Sequence, residues 1–210
     1  MTISVIIPAY NEAKRIGEVI KSAYQYADEV LIIDDGSTDN TANIAQEKGA
    51  GVVHQKHSGY ITALKRGLHE SKYDIVVTMD ADGEHCTDDI PRLAAPIVSG
   101  DADLVLGVRQ KIPRKSERFI NWLTNLKVKT RDACTGFRAI KKELASQLIL
   151  SGSCTCGTLV LESNFLGARI VDIPIKVLPT NKPRAILWHH VKHVFYVIWW
   201  LLKYKIRRSL

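Results

Sequence analysis

Two carboxylates one residue apart, Asp80 and Asp82, directly follow a hydrophobic run at residues 75–79. Where the chain bends after such a run, both side chains can turn toward one cation, and hard divalent cations such as Mg²⁺ and Mn²⁺ take oxygen ligands. A cation held in this way binds diphosphates and neutralises the charge on a leaving phosphate. The same spacing is common in solvated surface turns, but the preceding run, Gly83 and the nearby Glu84 favour a metal site.

A second acidic cluster, Asp-Asp-Gly-Ser-Thr-Asp at residues 34–39, ends the hydrophobic run at residues 30–33. One interpretation is a polar turn in which Ser37 or Thr38 caps the next helix. Another is that a carboxylate of the cluster accepts hydrogen bonds from a nucleoside base or ribose. The two are compatible, because a turn that caps a helix also fixes the side chains beside it.

Arginines in and beside the basic stretch at residues 111–131 are candidates for binding phosphate. Guanidinium groups donate paired hydrogen bonds to phosphate oxygens, which favours Arg109, Arg114 and Arg118. The lysines of the stretch are interpreted as a solvated face. Asp132 is either a general base or a turn residue, and the sequence leaves both open.

Alternating strands and helices must position these side chains. Hydrophobic runs predict strands at residues 3–7, 30–33, 52–53, 75–79, 104–106, 137–140 and 170–175. Helical patterns occupy residues 16–23, 38–48, 61–68, 90–98, 119–128 and 144–150. Pro8 is expected to end the first strand, and Pro174 to confine the last one to a sheet edge. The alternation predicts an α/β fold with a mostly parallel sheet flanked by helices. The carboxylates then lie at the strand ends where such sheets bind ligands.

Composition narrows the class of protein. The 210 residues suit one domain, or one domain with an appendage. No dinucleotide-binding or P-loop glycine motif occurs, which disfavours a dehydrogenase or P-loop enzyme. The formal net charge is +7, and the chain from residue 182 onward is basic without a carboxylate, which indicates an anionic partner. The N-terminus lacks a signal-peptide pattern, so we expect a cytoplasmic protein.

Four residues are expected to be ordinary reduced thiols: Cys86, Cys134, Cys154 and Cys156. Three are interpreted as surface residues: His54, His57 and His69.

The C-terminal residues 186–210 predict an amphipathic helix separate from a catalytic domain at residues 1–185. The predicted apolar face holds Leu187, Val191, Val194, Phe195, Ile198 and Leu202. The predicted polar face holds His189, Lys192, His193, Tyr196 and Lys203. The longest uncharged apolar run, at residues 194–202, is too short to span a bilayer. Tryptophans with flanking basic residues favour a helix lying in the membrane interface. The alternatives are packing on the catalytic domain, on a second subunit or on a membrane-protein partner.

Four motifs in order carry a resemblance to a known family. They are Pro-Ala-Tyr-Asn-Glu at residues 8–12, the acidic cluster at residues 34–39, Asp-Ala-Asp-Gly-Glu-His at residues 80–85 and Asp-Ala-Cys-Thr-Gly-Phe-Arg-Ala at residues 132–139. In this combination the chain resembles family 2 glycosyltransferases with the GT-A fold, over roughly residues 3 to 178. Within that family it is most similar to the dolichyl-phosphate mannosyltransferase and polyprenyl-phosphate glycosyltransferase branch.

The resemblance implies a role for each matching residue. Those implied to bind the nucleotide sugar are Pro8, Tyr10, Glu12, Asp35, Asp80, Ala81 and Asp82. The implied metal ligands are Asp80, Asp82 and Glu84, with glutamate standing where the family usually has glutamine. Asp82, Arg109 and Arg118 are implied to be catalytic, and the two arginines are also implied to face the acceptor phosphate. Cys86 stands where proline is common, and the family's later basic residues have no clean match, with Lys182 and Arg184 as the only candidates.

The implied reaction is an inverting transfer of a sugar from a donor of the GDP-mannose or UDP-glucose type to a polyprenyl phosphate, assisted by Mg²⁺ or Mn²⁺. A phosphate monoester is largely ionised near neutral pH, since its second pKa is about 6, so it needs no general base. We therefore expect a peripheral enzyme on the cytoplasmic face of a membrane that does not bind nucleic acid. Two alternatives stay open: a soluble glycosyltransferase acting on a sugar or protein hydroxyl, and a non-catalytic module that binds nucleotide sugar or membrane.

Overall fold

A computed structural model describes residues 2–179 and 187–208, with the side chains of the last helix described at residue 190 and at residues 192–203. The strands are β1 Ile3–Ala9, β2 Glu29–Asp34, β3 Gly51–His54, β4 Ile75–Thr78, β5 Leu104–Val108, β6 Arg138–Lys141 and β7 Ile170–Pro174. The helices are α1 Ile16–Ala23, α2 Thr41–Glu47, α3 Tyr60–Glu70, α4 Ile90–Val98, α5 Lys115–Asn125, α6 Lys142–Ala145, α7 Thr158–Phe165 and α8 Leu187–Arg208.

The seven strands form one sheet in the order β3-β2-β1-β4-β6-β5-β7. All neighbouring pairs are parallel except those of β6, which runs antiparallel to both β4 and β5. The predicted mostly parallel α/β fold is confirmed, and β7 lies at an edge, as Pro174 indicated. The carboxyl ends of β1, β2 and β4 lie side by side, which brings the motifs that follow them to the same edge of the sheet.

The prediction that Pro8 ends the first strand was wrong, because β1 continues to Ala9. The carbonyl oxygen of Ile6 accepts a hydrogen bond from the Met79 amide, so Ile6 and Pro8 both direct their backbone groups toward β4. Pairing with β4 reaches only Ile6 opposite Thr78, whereas pairing with β2 continues to Ala9. The sheet therefore requires no hydrogen bond from a backbone N–H at position 8, so the strand can contain a proline there.

Helices cover both faces of the sheet. One core cluster contains residues of α1 and α4 and the other contains residues of α3, α5, α7 and α8. Helix α1 shows the cause in its sequence, since Ile16, Val19, Ile20 and Ala23 form one buried stripe at helical spacing. The result is a three-layer sandwich whose sheet positions the loops at its carboxyl edge.

Helix α8 packs on the domain, with a buried stripe that differs from the predicted one. The buried residues are His190, His193, Val197 and Trp200, and the Trp200 ring lies 5.6 Å from that of Phe165 in α7. The placement of His193 on a polar face was therefore wrong, because the helix turns that side toward α5 and α7. The side chains of Leu187, His189 and Val191 lie outside the described residues.

The other side of α8 is apolar and exposed. Phe195 is 71% exposed, Trp199 50% and Leu202 52%, and Ile198 is also exposed. Lys192 and Tyr196 are exposed, as predicted. Across residues 2–179 and 187–208, every helix is too short or too polar to cross a bilayer.

Candidate active site

A cavity of about 1050 Å³ opens at the carboxyl edge of the sheet. The predicted site residues that line it are Pro8, Tyr10, Glu12, Asp35, Asp80, Ala81, Asp82, Glu84 and Arg109. These residues come from loops after β1, β2, β4 and β5, which the strand order places next to one another. The fold thus brings these predicted site residues together, whereas Arg118 and Asp132 are not in the lining and Lys182 and Arg184 lie outside the described residues.

Asp35 is held rigidly at the end of β2. Its Oδ1 accepts hydrogen bonds from the Ser58 amide at 2.8 Å and from Gln55 Nε2 at 2.7 Å, and its Oδ2 accepts one from the Gly59 amide at 2.9 Å. The His57 ring lies with Nδ1 3.0 Å from Asp35 Oδ2. These contacts fix the carboxylate where the loop before α3 meets the cavity.

Tyr10 and His57 form an aromatic wall beside Asp35. Their ring centroids are 4.3 Å apart with an angle of 33° between the planes, and both residues line the cavity. The exposed fraction of His57 is high, so its interpretation as a surface residue was correct, but that interpretation missed its position in the site. A planar base could stack on such a wall next to a carboxylate that accepts hydrogen bonds.

The acidic motif after β4 folds back on itself. The Asp80 amide donates to His85 Nδ1 at 3.1 Å, so the proton of the neutral ring is on Nε2, which lies 3.9 Å from Asp80 Oδ2. Burial lowers the pKa of His85, which favours that neutral form, and its ring stacks on Phe137 at 4.8 Å. Asp82 is buried, and its Oδ1 accepts a hydrogen bond from the Glu84 amide at 3.1 Å. The motif is therefore an ordered loop, not a solvated turn.

The charge balance of this loop fits a hard divalent cation. Burial raises the pKa of Glu84, and the neighbouring charge of Asp80 raises it further. Carboxylates that oppose one another's ionisation in this way are stabilised by a cation between them. Carboxylate oxygens are the ligands that Mg²⁺ and Mn²⁺ prefer, and the role of Asp80, Asp82 and Glu84 as metal ligands stays a prediction.

Gly136 allows the fourth motif to approach this loop closely. A Cβ atom at Gly136 would lie 2.7 Å from Asp80 Oδ2, which is inside van der Waals contact. The Gly136 carbonyl also accepts a hydrogen bond from Thr78 Oγ1 at 2.7 Å. The fourth motif thus forms the wall behind Asp80.

A buried ion-pair network surrounds Arg109. Its Nε donates to Asp132 Oδ2 at 2.6 Å, and its Nη2 lies 3.1 Å from Asp132 Oδ1 and 3.3 Å from Glu117 Oε2. Burial acts to lower the pKa of Arg109, but the hydrogen bond and charge of Asp132 outweigh it and raise the pKa. Arg114 adds a second cation, with Nη1 2.6 Å from Glu117 Oε1. Both arginines line the cavity.

Of the two interpretations of Asp132, the structure favours the turn residue, and its carboxylate also supports Arg109. Asp132 is fully buried and lies behind Arg109, outside the cavity lining. Its Oδ1 also accepts a hydrogen bond from the Cys134 amide at 3.1 Å. Glu117, which the sequence reasoning missed, has a similar role on α5.

Arg118 lies away from this network. It is exposed on α5 and does not line the cavity, whereas Arg114 does. Arg118 precedes Phe119, which is also exposed. Its predicted role at the acceptor phosphate stays a prediction.

Loops from β1, β2 and β4 that place an ordered pair of aspartates beside an aromatic wall define a glycosyltransferase with the GT-A fold. The family profile described as glycosyl transferase family 2 matches residues 4–155, and the chain belongs to this family. The predicted resemblance is thereby confirmed.

Curated relatives and solved structures agree with this assignment. The chain is 31% identical to a UDP-N-acetylglucosamine–dolichyl-phosphate N-acetylglucosaminyltransferase of Methanococcus voltae, with 87% of this chain and 88% of that protein covered. It is 30% identical to an undecaprenyl-phosphate mannosyltransferase of Micrococcus luteus, with 83% of each covered. The structure of glucosyl-3-phosphoglycerate synthase from Mycobacterium tuberculosis with Mn²⁺, UDP-glucose and phosphoglyceric acid superposes with a TM-score of 0.79 at 26% identity, covering 93% of this chain and 78% of that one.

Proposed function

We propose that this glycosyltransferase moves a sugar from a nucleotide diphosphate sugar to a polyprenyl phosphate at a membrane surface, with inversion at the anomeric carbon. The observation that carries the proposal is the convergence of the nucleotide-binding, acidic and arginine motifs on one cavity. The names of the relatives from Methanococcus voltae and Micrococcus luteus support a polyprenyl-type phosphate as the acceptor.

The donor half of the cavity would lie between β1, β2 and β4. Tyr10 and Asp35 would contact the nucleoside, together with Pro8 and Glu12, while Asp80, Asp82 and Glu84 would hold Mg²⁺ or Mn²⁺. When bound, such a cation supplies charge stabilisation to the leaving diphosphate. The Mn²⁺ and UDP-glucose in the mycobacterial structure support this arrangement.

The acceptor half would lie near Arg109 and Arg114. An ionised phosphate oxygen is already a nucleophile, so the residues there need to orient it and need not remove a proton. The complete engagement of Asp132 by Arg109 and by the Cys134 amide supports a phosphate over a hydroxyl acceptor, because a hydroxyl would call for an accessible base.

Exposed apolar side chains on two packed helices favour docking at the membrane. Phe119, Trp122 and Leu126 are exposed in or next to α5, and Phe195, Ile198, Trp199 and Leu202 are exposed on α8. These residues, with the basic C-terminal segment, would place the cavity at the level of lipid phosphates on the cytoplasmic face. Pairing of the same apolar surface with a second subunit is the competing explanation.

A second candidate acceptor is a small phosphorylated hydroxy acid. It is favoured by one observation, the phosphoglyceric acid bound in the mycobacterial structure. That enzyme's acceptor would require the same arginines but no membrane contact.

The test is transfer from a panel of radiolabelled nucleotide sugars to short-chain polyprenyl phosphates and, in parallel, to phosphoglyceric acid. We expect product with a polyprenyl phosphate only in the presence of Mg²⁺ or Mn²⁺. Asp82→Asn should remove most turnover without unfolding the protein, because the carboxylate lies in a loop and packs little apolar surface. Full activity in excess chelator, or transfer to phosphoglyceric acid alone, would refute the corresponding part of the proposal.

A further inference from the structure

A second cluster of metal-ligating side chains lines the same cavity as the acidic motif. Cys154 and Cys156 precede α7, and His190 lies in the first turn of α8. The sulfur atoms and an imidazole nitrogen of these three residues all lie within 4.8 Å of one another, and Cys156 Sγ is 3.8 Å from His190 Nε2. The three residues come from two segments that only the tertiary structure brings together.

Cys134 is a candidate for the fourth ligand of this cluster and would be its third sulfur. The Cys134 thiol lies close enough to that of Cys156 to interact with it, although it is not within 4.8 Å of all three of the other ligand atoms. Cys134 Sγ also lies 3.6 Å from the Glu117 carbonyl oxygen. The fourth cysteine of the chain, Cys86, lies in the segment after the acidic motif, outside this cluster.

We propose that Cys154, Cys156 and His190 bind a zinc-type soft divalent cation, with Cys134 as the fourth ligand. Thiolate and imidazole ligands select Zn²⁺ over Mg²⁺ and Mn²⁺, and three cysteines with one histidine are a common structural set. Bond lengths of about 2.3 Å to sulfur and about 2.0 Å to nitrogen place tetrahedral ligand atoms about 3.5 to 3.8 Å apart. The 3.8 Å between Cys156 Sγ and His190 Nε2 is about 0.3 Å longer than the sulfur–nitrogen separation of such a site, so a small side-chain movement would bring both atoms to one cation.

The outer partner of His190 is already in place. Ser116 Oγ, on α5, lies 2.8 Å from His190 Nδ1, which leaves Nε2 directed toward the sulfur atoms. Metal-ligating histidines usually have their second nitrogen engaged in this way, because the contact fixes the ring and its tautomer.

The proposed ion would join three parts of the fold. Cys134 belongs to the loop before β6, Cys154 and Cys156 to the loop before α7, and His190 to α8. The cation would therefore fasten α8 to the catalytic domain beside the acceptor half of the cavity. This site differs in ligand chemistry from the acidic motif, so it does not depend on the proposed sugar transfer.

The first test measures metal on the full-length wild-type protein. Protein purified under reducing conditions without chelator is analysed by mass spectrometry for metals, and stripped protein is titrated with Zn²⁺ against a chromophoric chelator. We expect one Zn²⁺ per chain, retained in excess Mg²⁺ and Mn²⁺, and a thiolate-to-metal absorption band when Co²⁺ replaces it. Folded, reduced wild-type protein that binds neither Zn²⁺ nor Co²⁺ would overturn the proposal, and so would a disulfide within the cluster that resists reduction in the folded protein.

Variants locate the ligands and separate this site from the acidic one. Cys156→Ser and His190→Ala should weaken Zn²⁺ binding at least about tenfold, whereas Cys86→Ser should leave it unchanged. Asp82→Asn should keep Zn²⁺ while losing sugar transfer, so failure of either site is seen independently. Hydrogen exchange of the α8 amides should be faster in the zinc-free wild-type protein, and equal protection with and without Zn²⁺ would contradict the fastening role.

Discussion

Arg109 shows how the site balances charge. Two arginines, Arg109 and Arg114, are paired with two carboxylates, Glu117 and Asp132, so the cluster as a whole is close to neutral. The neighbours of Arg109 therefore hold it in position before any phosphate arrives. Its Nε and Nη2 both donate hydrogen bonds to the Asp132 carboxylate. Such preorganisation lowers the cost of orienting a phosphate.

Arg109→Lys should lower kcat/KM roughly 10- to 100-fold, because lysine cannot donate two diverging hydrogen bonds to Asp132 and the cationic centre will shift. The free energy of unfolding should fall by about 1 to 3 kcal/mol, since Asp132 is buried and would lose a charged partner. Steady-state kinetics and urea unfolding check both values.

Arg169→Lys is the matched control. Arg169 also binds a carboxylate, that of Asp103, through Nε and Nη2 at 3.0 Å each, but it is exposed and lies outside the cavity lining. Its lysine variant should keep wild-type kinetics. Equal rate losses for the two variants would mean that Arg109 has no special position in the reaction.

Gly136→Ala should weaken binding of Mn²⁺ about tenfold or more, because the added methyl group would displace the Asp80 carboxylate. The variant should fold, since the position needs no left-handed backbone. Titration with Mn²⁺ monitored by electron paramagnetic resonance measures the affinity. The control is Gly17→Ala, which lies in α1 away from the cavity and should bind Mn²⁺ like the wild-type protein. If both variants bind Mn²⁺ normally, Asp80 is not a metal ligand.

At the scale of elements, Glu162 of α7 secures the loop that carries the cysteine cluster. Its carboxylate accepts hydrogen bonds from the amides of Ile149 at 2.6 Å and Leu150 at 3.1 Å, and Leu150 has a φ of 48°. Burial raises the pKa of Glu162 above 4.5, although these two amides act to lower it. The charged carboxylate therefore stabilises the loop through these two hydrogen bonds, but burial of its charge lowers the free energy of unfolding.

The pH dependence of stability should reveal this cost. Because the folded-state pKa of Glu162 is raised, the folded chain retains a proton that the unfolded chain loses above about pH 4.5. The contribution of Glu162 to the free energy of unfolding is therefore largest at low pH and declines as pH rises through the folded-state pKa. Urea unfolding of Glu162→Gln should show stability relative to wild type that increases over this range, and a relative stability that decreases with pH would contradict the assignment.

The strand and helix pattern was largely predictable from the sequence, for a physical reason. Buried parallel strands such as β1, β2 and β4 are continuous hydrophobic runs. The carboxylates that follow them indicate which edge of the sheet binds ligands. Direction within the sheet is not encoded in such runs, so the antiparallel β6 could not be distinguished from its neighbours. The side of α8 that packs was also missed, because His190 and His193 look polar and only their contacts across the fold show why they are buried.

Site residues were predictable where a local motif places them and not where distant segments meet. Asp80 and Asp82 lie in one loop, so their spacing can be read directly from the sequence. Glu117 reaches Arg109 only because α5 packs beside β5, and His190 reaches Cys156 only because α8 returns to the domain. The C-x-C spacing was the one local signal for the cysteine cluster, and it was weak without its histidine.

At the scale of the whole molecule, our proposal places the exposed side of α8 against a membrane. Phe195→Ser should reduce binding to anionic phosphatidylglycerol vesicles about tenfold or more, because burial of a phenylalanine contributes about 1.5 to 3 kcal/mol. Salt should release the wild-type protein only in part, since it screens the basic residues but not apolar burial. Vesicle sedimentation measures both effects.

Val98→Ser is the control for this experiment. Val98 is 55% exposed at the end of α4, on the opposite face of the sheet from α8, so its loss should leave vesicle binding unchanged. Light scattering on the same variants separates the two explanations of the apolar surface. If Phe195→Ser dissociates a dimer and the wild-type protein does not bind vesicles, the exposed apolar side of α8 binds a second subunit.

The position of β6 has a consequence for how the chain is made. This strand inserts between β4 and β5, yet it emerges from the ribosome after both. Until Arg138–Lys141 is available, β4 has one unpaired edge and β5 is unpaired on both sides, because β7 also follows β6. Such edges are templates for wrong pairing with other chains. A chaperone that shields those edges should therefore raise the yield of folded enzyme, and a fragment ending before β6 should aggregate even though its acidic motif is complete.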